Sequence, residues 1–130
     1  MEYKHNLNSV FLVTYHIVFC PKYRRQLLLG DIKKKCEEIF NDVARDNGWE
    51  IISMEIMPDH VHLFIGADPL TKPHIVVKKF KGRTSRILRQ EFPELLKMPT
   101  LWTHAYFLST AGNVAAPIIK KYIEQQWEKI

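Results

Sequence analysis

The sequence predicts an α+β fold: a ferredoxin-like or RRM-like βαββαβ antiparallel sheet with an added C-terminal helix. Three observations predict it. Apolar and polar residues alternate, or β-branched and aromatic residues cluster, in four separate stretches. Apolar residues recur at helical spacing in two long stretches, after the first strand and after the third. A Pro58-Asp59 turn joins the second and third strands as a hairpin, which completes the split βαβ order.

The first strand is expected over residues 9–20, where Val10, Leu12 and Thr14 alternate with Phe11, Val13 and Tyr15, and it ends at Pro21. Gly30-Asp31 then precedes "IKKKCEEIFNDVARDN", in which Ile32, Cys36, Ile39, Phe40 and Val43 make one apolar helix face. Gly48 sits where a C-terminal cap belongs. "WEIISMEIM" is the second strand and "HVHLFIGA" the third. Pro73 opens the next helix, which runs to about Phe92 with Val76, Val77, Phe80, Ile87 and Leu88 on one face and Gly82 weakening its middle. Pro93 and Pro99 bracket a loop, and "AYFLSTAG" reads as the fourth strand. Gly112-Asn113 leads into the last helix, "VAAPIIKKYIEQQWEKI", with Pro117 in its first turn.

A length of 130 residues implies one domain, residues 1–130, with a real core and no room for a second. The net charge of +5 and pI near 9.3 favour an anionic partner such as nucleic acid. Cys20 and Cys36 are the only cysteines, and neither has a zinc-ligand neighbour, so a disulfide framework and a structural zinc site are both disfavoured. "VFLVTYHIVFC" is too short and too polar to span a bilayer, and Met1 opens no cleavable signal pattern. The expectation is a soluble cytoplasmic protein with no membrane contact.

"MPDHVHLF" carries the chemistry. On a strand, positions i and i+2 share a face with Cα atoms about 6.6 Å apart, so His60 and His62 can converge on one ion. A single ion needs at least one more protein ligand and open positions for substrate oxygens. Tyr122 and Gln126, four apart on the last helix, lie on one face. A Gln126 carbonyl oxygen would complete a His-His-Gln set, and the Tyr122 phenol beside it is a candidate nucleophile toward phosphorus. Basic residues form a third feature. Lys79, Arg83 and Arg86 make a stripe on the second helix, with Lys78, Lys81 and Arg89 nearby, while Lys22, Tyr23, Arg24 and Arg25 close the first strand. Such patches suit a phosphate backbone, and the aromatic suits a stacked base. Each feature alone also has a plain structural explanation: a satisfied histidine, a packing tyrosine, a solvated helix face.

Taken together, "MPDHVHLFI", "FKGRTSRIL", "LWTHAYFLSTAGN" and "IKKYIEQQ", in this order and spacing and with "PKYRR" after the opening strand, resemble the HUH single-tyrosine transposases of the IS200/IS605 family. The resemblance covers nearly the whole chain. It implies that His60 and His62 bind Mg²⁺ or Mn²⁺, that Gln126 is the third ligand, and that Tyr122 is the catalytic nucleophile. It implies cleavage and rejoining of single-stranded DNA at hairpin-bearing element ends through a 5′-phosphotyrosine intermediate, with no nucleotide cofactor. It also implies a homodimer in which the tyrosine helix of one protomer completes the metal site of the other. Thr103, His104 and Ala105 depart from the small polar residues that members usually carry between the tryptophan and the Tyr-Phe pair, so the DNA contacts of that loop stay open. Three other readings stay open as well. The transposase-like proteins associated with repetitive extragenic palindromes share the motifs but usually have a longer C-terminal region. A histidine-triad nucleotide hydrolase would need a third alternating histidine where Phe64 stands. A non-catalytic nucleic-acid-binding module can be built on the same four-stranded sheet.

Overall fold

Alternation along the strands decides the layers of this protein, seen here in a computed structural model that describes residues 12–110 and Glu124. The first strand, β1 (Val13–Phe19), directs Tyr15, Ile17 and Phe19 into the core and His16 to the opposite face. The chain then makes a short 3₁₀ turn over Lys22–Arg24 and enters α1 (Gly30–Asn47). Cys36, Ile39, Phe40, Val43 and Ala44 are the buried positions of α1, as its apolar spacing requires. Gly48 ends it in the left-handed conformation, φ +71°, with its N–H turned back to the Ala44 and Arg45 carbonyls.

The second strand, β2 (Glu50–Met57), and the third, β3 (His60–Ala67), form the expected hairpin around Pro58-Asp59. A bulge between Ile51 and Ser53 shifts the register. That one extra residue explains an irregular apolar pattern: Ile51 pairs with core Ile65, yet Met54 and Ile56 pair with core Leu63 and Val61. The second long helix, α2 (Pro73–Glu91), starts with Pro73 in its first turn and buries Val76, Val77, Phe80, Thr84 and Leu88. The segment expected as a plain loop after it contains a 3₁₀ turn, Pro93–Lys97. Among the described residues the fourth strand, β4, covers Phe107–Ser109, inside the stretch from 105 to 112 that its composition marked, of which residues 111 and 112 lie outside the described residues. The expected strand residues 9–11 and the expected last helix lie outside the described residues, Glu124 excepted.

The strands lie in the order β2-β3-β1-β4, every neighbouring pair antiparallel, which is the ferredoxin-like arrangement. α1 and α2 pack against each other and against one face of the sheet around Phe19, Phe40, Phe80 and Trp49. Phe19 meets Trp102 edge to face at 4.7 Å. Buried Thr84, not foreseen as a core position, holds that tryptophan: the indole N–H donates to its hydroxyl at 3.0 Å, and the hydroxyl donates to the Phe80 carbonyl at 2.7 Å. Both cysteines are free and buried.

Candidate metal centre and nucleic-acid interface

Side chains alternate between the two faces along β3, so the burial of Val61, Leu63 and Ile65 against α1 and α2 puts His60, His62 and Phe64 together on the other face. The two imidazole centroids are 5.1 Å apart, with the rings tilted by 70°. Each ring is oriented through Nδ1. His60 Nδ1 lies 2.8 Å from Asp59 Oδ1, and His62 Nδ1 lies 3.3 Å from Nε2 of His16 on β1. If each Nδ1 carries the proton, both Nε2 lone pairs are free to bind an ion, the usual arrangement for a ligating histidine. Burial, then the neighbouring His60 and His16, holds the pKa of His62 below the ordinary imidazole value. Burial does the same for His16. Both effects favour the neutral ring that metal binding needs.

Two of these groups were missed in the sequence. His16 sits at the start of "HIVF" on a different strand, and it reaches His62 because β1 and β3 pair with Val18 opposite His62. In the sequence Asp59 reads as a turn residue. Its position directly before a His-x-His pair on a hairpin was the available signal. Among the described residues no three His, Cys, Asp or Glu side chains converge to hold an ion. The donor set there is the pair His60 and His62, which fits an ion that takes a further ligand elsewhere. Tyr122 and Gln126 lie outside the described residues.

The basic residues separate into groups with different surroundings. Lys78, Lys79 and Arg86 are exposed on α2, and Arg25 is exposed beyond the 3₁₀ turn. Arg83 reaches across to Asp46 of α1 at 2.7 Å, and Arg89 donates to the Met98 carbonyl at 2.9 Å. Lys81 turns inward. Its ammonium donates to the carbonyls of Thr103 at 2.7 Å and His104 at 3.3 Å and lies over the rings of Phe19 and Tyr106. Burial pushes its pKa down to about 8. Tyr23 has Lys22 at 5.3 Å and Arg25 at 5.9 Å from its ring centroid. Lys22, His74, Lys78, Lys81, His104 and Tyr106 share an open cleft of about 820 Å³. Thr103 is buried and bonded to the Cys20 carbonyl, while His104 is exposed in that cleft.

Arg24 is placed differently again. Tyr23 and Arg24 adopt left-handed backbone, φ 61° and 50°, at a cost of about 1–3 kcal/mol each that neighbouring contacts must offset. The segment is braced on both sides. Lys22 N–H donates to the Leu101 carbonyl at 2.8 Å, and Leu28 N–H donates to the Pro58 carbonyl at 3.1 Å. Arg24 Nε then meets Asp59 Oδ2 at 2.9 Å.

The profile of the IS200-like transposases matches residues 9–126. The ISDra2 transposase TnpA of Deinococcus radiodurans is 36% identical over 132 aligned positions, covering 99% of this chain and 94% of its own. The IS200 transposase of Salmonella typhimurium is 30% identical over 118 positions, 88% of this chain and 77% of its own. Among solved structures, the crystal structure of a transposase candidate from Deinococcus radiodurans R1 superposes with a TM-score of 0.84 at 35% identity, covering 95% of this chain and 97% of that one. A REP-associated tyrosine transposase solved with a REP hairpin shares the fold at 14% identity, with a TM-score of 0.56 over 99% of this chain and 76% of its own. The chain belongs to the family of IS200-like transposases.

Proposed function

We infer that this transposase cleaves and rejoins single-stranded DNA at hairpin-bearing element ends through a 5′-phosphotyrosine on Tyr122. The observation that carries the reading is the pair His60 and His62, side by side on the sheet face away from α1 and α2 with both Nδ1 atoms engaged. With Gln126 they would hold Mg²⁺ or Mn²⁺, and a bound ion there would offset phosphodiester charge and help the phenol ionise. Tyr122 Oη would form a bond to phosphorus as the bond from phosphorus to the 3′ oxygen breaks. The departing oxygen takes up a proton as the phenol loses one. A second 3′-hydroxyl can then displace the tyrosine, so the phosphodiester is conserved and strands are rejoined without a nucleotide cofactor. Exposed Lys78, Lys79, Arg86 and Arg25, with Lys22 at the cleft, supply cations for the backbone.

The test is a labelled hairpin oligonucleotide incubated with protein and Mn²⁺, resolved on a denaturing gel. Wild-type protein should yield a covalent adduct, mapped to Tyr122 by mass spectrometry. Tyr122→Phe should bind the hairpin as wild type does and form no adduct, and His62→Ala should fold and form none. DNA found on Tyr23 or Tyr106 instead, or cleavage retained by both variants, would overturn the reading.

A further inference from the structure

We propose that Arg24 and Asp59 form a positioning relay that aims His60 at its ion, so that the arginine of "PKYRR" serves the metal site and not only a DNA backbone. This rests on the metal reading given above. The observations are geometric. Asp59 uses one carboxylate oxygen on each neighbour: Oδ2 meets Arg24 Nε at 2.9 Å and Oδ1 meets His60 Nδ1 at 2.8 Å. The side chains are largely withdrawn from water, with 26%, 16% and 17% exposure for Arg24, Asp59 and His60. A carboxylate so placed is costly to bury alone, and the charge of the neighbouring guanidinium offsets that cost. The carboxylate in turn fixes the imidazole ring and its tautomer, which leaves Nε2 as the ligating atom.

The backbone points the same way. Two successive non-glycine residues, Tyr23 and Arg24, hold left-handed conformations, and such strain persists where the surroundings impose it, often at functional sites. Here the imposing contacts come from the Leu101 and Pro58 carbonyls on either side, and the Pro58 contact ties the arginine segment to the turn that carries Asp59. A positively charged side chain meant only for DNA would not require this. Lys78 and Lys79 stand exposed on a regular helix.

Two measurements test the relay. Long-range ¹H–¹⁵N spectra of the metal-free wild-type protein should show His60 protonated at Nδ1, and Asp59→Ala should shift it toward the mixed tautomers of a free imidazole. Mn²⁺ alone, titrated by EPR, should bind about 10- to 100-fold more weakly to Asp59→Asn and Arg24→Gln. Arg24→Lys should recover part of that loss, and Lys34→Gln, exposed on α1, should match wild type. An Nε2–H tautomer at His60 in the wild type, or wild-type Mn²⁺ affinity in folded Asp59→Asn and Arg24→Gln, overturns the relay. Wild-type protein that binds no Mn²⁺ would overturn the metal reading itself, and the tautomer spectrum would still decide the relay.

Discussion

Lys81 illustrates how one residue type takes unlike roles within a few positions. Its neighbours Lys78 and Lys79 face solvent, while Lys81 spends its ammonium on two carbonyls of the 103–104 segment. In the unfolded chain a lysine titrates at about 10.4, whereas burial brings Lys81 to about 8 in the fold. Between those values the unfolded chain binds more protons than the native one, so this group makes stability rise with pH. We expect the melting temperature of wild type, measured relative to Lys81→Met, to shift in favour of wild type from pH 7 to pH 10. Taking the difference removes the opposing contribution of the buried Cys36 thiol, whose pKa burial raises, while loss of the Lys81 charge raises the Cys20 pKa further and so acts in the same direction. A difference that stays flat across this range would mean that Lys81 is better solvated than its contacts indicate.

Helix ends and helix middles make opposite demands on glycine. Gly48 caps α1 at φ +71°, where an added Cβ meets nothing but the conformation itself is unfavourable. Gly82 lies inside α2 with equally open space around it and ordinary helical backbone. Gly48→Ala should therefore cost about 1–2 kcal/mol, or roughly 4–7 °C in melting temperature for a chain of this size. Gly82→Ala should instead gain about 0.5–1 kcal/mol. Thermal melts of the two variants with the parent check both signs, and a destabilised Gly82→Ala would show that the helix needs flexibility or close approach there. The described part of β4 belongs to the same scale: Phe107, Leu108 and Ser109 pair with the middle of β1, opposite Val18, Ile17 and His16.

Among the described residues, two candidate functional regions share one small frame. The histidine pair occupies the sheet face away from α1 and α2, and a cleft lined by Lys22, Lys78, Lys81 and Tyr106 lies between α2 and the 100–106 segment. Among the described residues no helix is long and apolar enough to cross a membrane. The resemblance to the family implies two copies of the chain with shared sites, and we propose that arrangement for the excision of two element ends. Under that proposal, mixing His60→Ala with Tyr122→Phe protomers should restore strand transfer from one working site per mixed dimer. Mixed samples that stay inactive although subunits demonstrably exchange would put His60 and Tyr122 of each site in a single chain.

The amino-acid sequence by itself determined the local elements and the placement of the histidine pair in the candidate site. Apolar spacing located α1 and α2, Gly48 marked a cap, Pro58-Asp59 marked the hairpin, and alternation put His60 and His62 on one face. All of these depend on neighbours within a few residues, where backbone period and steric preference act directly. The tertiary structure alone decided what surrounds the pair. His16 reaches His62 through the β1–β3 register, 46 residues apart in sequence, and Arg24 reaches Asp59 through a strained turn held by Leu101 and Pro58. Composition could not separate Lys81 and Arg83 from the exposed cations of the same helix, because their partners, Thr103 and Asp46, come from other elements. Register and packing are set by contacts between distant segments, and these exist only once the chain has folded.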